Sequence, residues 1–154
     1  MSELLQQPVA PEWGTMTHKQ LVRRMVLWLN NSRIYSVVIA ERASSAMETP
    51  DVLGFHNGSS LLIECKVSRS DFHADKAKIF RREEALGVGA LRYFAAPAGI
   101  LTPEDMPEGW GLLAIHQYQV RELVAPAGKA ANHLNEVAML VSAIRSLELA
   151  ATLF

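Results

Sequence analysis

Three side chains in the stretch PDVLGFHNGSSLLIECKVSRS (50–70) have the types and spacing for metal or acid–base chemistry: Asp51, Glu64 and Lys66. Leu61 to Cys65 reads as a strand entering a core, where Glu and Lys are rarely found unless paired. The chemistry depends on which face each residue occupies, and a turn between two strands decides that.

Asn57-Gly58 is a strong two-residue hairpin signal between DVLGF (51–55) and SLLIECK (60–66). Such a turn pairs His56 with Ser59, Phe55 with Ser60 and Leu53 with Leu62, and so sets Asp51 opposite Glu64. Their Cβ atoms are then expected on one face, roughly 4.5–5.5 Å apart. Alternation puts Lys66 on that face and sends Ile63 and Cys65 to the other. Two opposed carboxylates destabilise a hairpin unless something offsets the repulsion. A shared proton, the Lys66 ammonium or a bound divalent cation would each do so. A slip of one residue would separate Asp51 from Glu64 and dissolve the site.

The surrounding elements must hold this hairpin in place. Thr17 and Gln20 form a capping-box pattern that opens a helix, with Leu21, Met25, Trp28 and Leu29 at helical spacing until NNS at 30–32. IYSVVIAER (34–42) is β-branched and reads as a strand. Ser70 or Asp71 caps a helix over roughly 71–86, closed by Gly87. LRYFAAP (91–97) is a strand, a Pro-punctuated loop follows, and GLLAIHQYQVREL suggests one or two more strands. Residues 132–150 form a last amphipathic helix with Leu134, Val137, Val141 and Ile144 on one face. The expected order is α-β-β-β-α-β-β-α, an α/β fold with a mixed sheet flanked by helices. Residues 1–16 are expected to be a loose arm and 17–154 a single domain.

At 154 residues the chain can bury a core without staples, and its single cysteine excludes a disulfide framework and any multi-cysteine metal site. The histidines at 18, 56, 73, 116 and 133 show no ligand spacing. No apolar stretch has membrane-spanning length and no signal-peptide pattern opens the chain, so no membrane partner and a cytoplasmic location are expected. The net charge of −1 gives no global sign of nucleic acid. Locally, Lys66, Arg69, Lys76, Lys78, Arg81 and Arg82 are opposed only by Asp71 and Asp75, a cluster that suits either a phosphate-binding stripe or a solvated helix face.

Pro50-Asp51, twelve residues, then Glu64-Cys65-Lys66 resembles the signature of the PD-(D/E)XK phosphodiesterase superfamily, which includes restriction endonucleases, junction resolvases and repair nucleases. The stretch VSRSDFHADK (67–76), and PEGWGLL (107–113) further on, are similar to small stand-alone members of the MmcB-like DNA-repair type and phage relatives. The resemblance spans about residues 17–124 and implies a restriction-endonuclease-like fold.

It also implies roles. Asp51, Glu64 and the backbone carbonyl of Cys65 would hold Mg²⁺ or Mn²⁺, joined by Glu41 or, in competition, Glu48. Lys66 would position the attacking water and stabilise developing charge rather than act as the base. The Cys65 side chain itself is expected to be a small buried hydrophobe. Ser68 and Arg69 leave the strand where phosphate contacts are natural, and Lys76, Lys78, Arg81 and Arg82 would track the DNA backbone. The implied activity is a magnesium-dependent nuclease in DNA repair, recombination or phage DNA processing, with RNA as an alternative substrate. Two other readings stay open: a binding module that does not cleave, and a protein-interaction factor on the same fold. The last helix offers an apolar face either to a second copy in a homodimer or to its own domain.

Overall fold

The structure, a computed structural model, describes residues 15–41, 49–75 and 86–147. Helix α1 (His18–Ser32) begins where the capping box predicts: the Thr17 hydroxyl accepts from the Gln20 N–H, and the Gln20 side chain accepts from the Thr17 N–H. It ends on Arg33 in the left-handed region, whose N–H donates to the Asn30 carbonyl. Strands β1 (Val37–Ala40), β2 (Val52–His56) and β3 (Ser59–Cys65) follow as an antiparallel meander.

The short helix α2 (Arg69–Asp75) precedes β4 (Leu91–Pro97), which pairs parallel to β3. A turn of 3-10 helix (Pro103–Asp105) leads to β5 (Gly111–Ile115), parallel to β4. The segment GLLAIHQYQVREL folds as two strands, because the His116 N–H donates to the Gln119 carbonyl and turns the chain into β6 (Val120–Val124). The expected order therefore lacked one strand. The molecule is a mixed α/β fold whose six-stranded open sheet runs β1-β2-β3-β4-β5-β6, flanked by helices. Among the described residues, no helix is long and apolar enough to cross a membrane.

The β2–β3 register is the one the Asn57-Gly58 turn dictates, from His56 opposite Ser59 to Val52 opposite Ile63. Both turn residues have positive φ, 45° at Asn57 and 75° at Gly58, as a primed hairpin turn requires. Alternation along β2 and β3 then divides the core. Val52, Ile63 and Cys65 pack with Leu21, Met25 and Leu29 of α1. Leu53 and Leu62 join Phe72, Phe94, Trp110 and Met139 on the other face.

In the last helix, α3 (His133–Ser146), the apolar stripe stays outside the domain core. Leu134, Val137, Val141 and Ile144 share a face, but that face is exposed and does not pack on the domain. The helix is seated instead through Met139 and the buried Glu136, whose carboxylate accepts from the Ser60 hydroxyl at 2.5 Å and the Gly89 N–H at 2.9 Å. A buried polar anchor outranks the apolar stripe here because Ser60 and Gly89 would otherwise be left without acceptors.

Candidate active site

Asp51 and Glu64 stand one step beyond the last ladder pair, at the end of the hairpin remote from its turn. The Cys65 N–H donates to Asp51 Oδ2 at 2.7 Å, so the carboxylate is pinned by the backbone of the neighbouring strand. The Asp51 carbonyl in turn accepts from the Glu41 N–H at 3.0 Å, which carries Glu41 from the end of β1 to the same place. Glu41 adopts φ of 45°, a left-handed conformation uncommon for a residue of its kind.

The capping box makes His18 the first residue of α1, and the helix lies over this end of the sheet. The His18 ring reaches both carboxylates, with Nδ1 3.3 Å from Glu41 Oε1 and Nε2 3.2 Å from Asp51 Oδ1. One donor atom from each of His18, Glu41 and Asp51 lies within 4.8 Å of the others. Hard carboxylate oxygens and one imidazole nitrogen form a donor set that suits a divalent cation.

Beside this cluster lies a second charged group on the α2 side of the sheet. Lys66 Nζ is 3.1 Å from Asp75 Oδ1 and 3.8 Å from Glu64 Oε2, and all three residues are buried. The Lys66 N–H donates to the Ala95 carbonyl at 2.9 Å, prolonging the parallel pairing and fixing the end of β3. Buried charges are tolerated only when paired, and each of these has a partner. A cleft of about 390 Å³, lined by Asp75, Phe94, Glu104, Asp105, Met106, Pro107 and Trp110, opens against the Asp75 side of the pair.

The Cys65 thiol packs on the α1 side of the sheet and feels charges of both groups. Burial pushes its pKa well above the ordinary thiol value, the carboxylates of Asp51 and Glu64 add to that, Lys66 opposes them, and Glu41 adds a little more. Cys65 is thus a protonated, buried side chain and not a nucleophile.

Two of the residues expected to touch phosphate, Ser68 and Arg69, have partners within the fold. Ser68 caps α2, its hydroxyl accepting from the Asp71 N–H and sharing a hydrogen bond with Ser70. Arg69 is engaged within the fold: its guanidinium meets both oxygens of Asp105 at 2.8 and 2.9 Å and donates to the Ile100 carbonyl. A bidentate carboxylate partner satisfies the same fork that would grip a phosphate. Lys76, Lys78, Arg81 and Arg82, and the rival acid Glu48, lie outside the described residues.

Two members of the site have no counterpart in the motif. His18 gave no ligand spacing, because the three donors come from a helix, a strand end and a strand start. Asp75 carried a usable signal: it stands one helical turn after the buried Phe72, so its charge had to turn inward.

No family model matches this chain and no curated protein does. A solved structure described as a protein of unknown function from Silicibacter pomeroyi is similar in fold, with a TM-score of 0.61, 23% identity, and coverage of 88% of this chain and 92% of that one.

Proposed function

We propose that this protein is a metal-dependent DNA phosphodiesterase of the PD-(D/E)XK type, with a restriction-endonuclease-like core formed by α1, the β1–β3 meander, α2 and β4. The observation that supports it best is that two charged groups, Asp51 with Glu41 and Glu64 with Lys66, stand at the same end of β3, with Asp51 held by the Cys65 N–H. Asp51 is held by a backbone N–H in one orientation, with its second oxygen directed at its neighbours.

Asp51, Glu64 and the Cys65 carbonyl would hold Mg²⁺ or Mn²⁺, with Glu41 beside them. The cation supplies polarisation of the scissile phosphate and a bound water of lowered pKa. Lys66 contributes positive charge in a buried setting, where its field is weakly screened. Asp75 and Glu64 steady its position, so its remaining N–H donors can orient a water or a phosphate oxygen. Arg69 is left out of the DNA contacts, because Asp105 already occupies it.

The test is cleavage of linear, single-stranded, flapped and branched DNA with Mg²⁺, Mn²⁺ or EDTA, alongside Lys66→Ala and Asp51→Ala variants of verified fold. Metal-dependent cutting is expected, falling at least about 100-fold in each variant. Tight DNA binding with no cutting under either metal would overturn the enzyme reading and leave a binding module.

A further inference from the structure

We infer that His18 is a nitrogen ligand of the metal site, which makes it a mixed nitrogen–oxygen site favouring late first-row divalent cations over Mg²⁺. The inference builds on the metal-dependent reading above and names the ligand and cation class that the motif does not give.

The geometry supplies the argument. Around a single ion with bonds of about 2.0–2.2 Å, adjacent donor atoms stand roughly 3 Å apart. The contact of 3.2 Å from His18 Nε2 to Asp51 Oδ1 has that spacing, whereas Glu41 meets the other ring nitrogen at 3.3 Å, so a single nitrogen serves both carboxylates only within the 4.8 Å that the three donors span. The three donors come from separate elements, and the Asp51 carboxylate is fixed from outside the cluster. Asp51 Oδ2 is taken up by the Cys65 N–H, which leaves Oδ1 turned to the ring. His18 is held at the first helical position by the Thr17–Gln20 capping box.

The cluster also lies in a local excess of negative charge. Among the described residues, Asp51, Glu64 and Glu41 all act on Cys65 and Lys66 opposes them. Lys66 is turned to Glu64 and Asp75, so the Asp51–Glu41 end is the one that a cation would neutralise. The side chains of His18 and Glu41 are 41% and 47% exposed, leaving room for the ring to rotate and present one nitrogen.

The imidazole determines the selectivity. Mg²⁺ prefers oxygen donors and its own waters, whereas imidazole nitrogen suits Co²⁺, Ni²⁺ and Zn²⁺, and affinity rises from Mn²⁺ through Co²⁺ and Ni²⁺. Calorimetric titration of the full chain with Co²⁺ and with Mg²⁺ is therefore expected to give Co²⁺ at least about 10-fold tighter. His18→Ala should weaken Co²⁺ by about 10–100-fold and leave Mg²⁺ within about 3-fold. Electron spin-echo spectra of the Mn²⁺-loaded protein should carry nitrogen-14 modulation that His18→Ala and His18→Gln abolish. Absence of that modulation in the unsubstituted protein, or unchanged Co²⁺ affinity in folded His18→Ala, would overturn the assignment. Should a variant fail to fold, the unsubstituted protein's nitrogen signal decides alone. These readouts need no DNA: cutting without nitrogen coupling sinks the His18 ligand, and nitrogen coupling without cutting sinks the nuclease.

Discussion

Lys66 Nζ lies 3.1 Å from Asp75 Oδ1 in a part of the molecule where neither residue is more than 7% exposed. The contact joins the last strand residues of the hairpin to α2 and gives the lysine of the motif a partner from outside it. Removing one member of such a pair strands the other charge, at a cost of about 3–5 kcal/mol. Glu64, 3.8 Å away, remains as a second partner, so Asp75→Ala is expected at the lower end, near 3 kcal/mol. Urea unfolding of Asp75→Ala, Lys66→Ala and the double variant checks it, with an expected coupling of about 1–3 kcal/mol. Additive single effects would mean that the two residues do not act together.

The Arg69–Asp105 bridge should be visible in the acid range. The Arg69 guanidinium hydrogen-bonded to Asp105 holds its carboxyl well below the usual carboxylate range, with Thr102 assisting. A lowered folded value means that the contribution is fully present above the unfolded value of about 3.9 and is lost as pH falls below it. The stability gap between the unsubstituted protein and Asp105→Asn is thus expected to be constant from pH 7 to about 5 and to shrink toward pH 2. Guanidinium unfolding midpoints at pH 6 and pH 2.5 measure this. A gap of equal size at both would show that the bridge does not titrate with folding.

Two glycines with positive φ should respond unequally to alanine. At Gly58, φ is +75° and nothing lies within 4 Å of an added Cβ, so Ala carries only the left-handed backbone cost of about 1–2 kcal/mol. At Gly89, φ is +86° and the Cβ would stand 2.6 Å from Leu62 Cβ and 3.0 Å from the Leu62 nitrogen. Overpacking against a core-facing strand adds about 1–3 kcal/mol there, for a total of about 2–5 kcal/mol. Thermal melts of both variants separate the cases. Comparable losses would show that the Gly89 loop gives way without disturbing β3.

Much of the site's scaffold was legible locally. The Asn57-Gly58 turn fixes the β2–β3 register because only residues tolerant of positive φ close a two-residue primed turn, and period-2 alternation then assigns every side chain a face. The Thr17–Gln20 box likewise sets the first residue of α1, since its hydrogen bonds span three residues and need nothing else. Leu91–Pro97 could be read from composition because a strand buried on both faces is mostly apolar, with Arg92 the one charged exception.

What the sequence determined by itself, then, was the hairpin, its register, the helix start and the positions of Asp51, Glu64 and Lys66 along the strands. In the folded protein their side chains divide between a His18–Glu41–Asp51 group and a Glu64–Lys66–Asp75 group. Tertiary structure alone decided who meets them: His18 at Asp51 and Glu41, Asp75 at Lys66, and Asp105 on an arginine that composition would give to DNA. It also turned the apolar stripe of α3 outward by seating the helix on Glu136. The division follows the range of the forces. Turns, caps and alternation are satisfied within a few residues, and the sequence states them directly. A charge is satisfied by whatever opposite group the packing of distant elements brings within about 4 Å, and no local pattern records that partner.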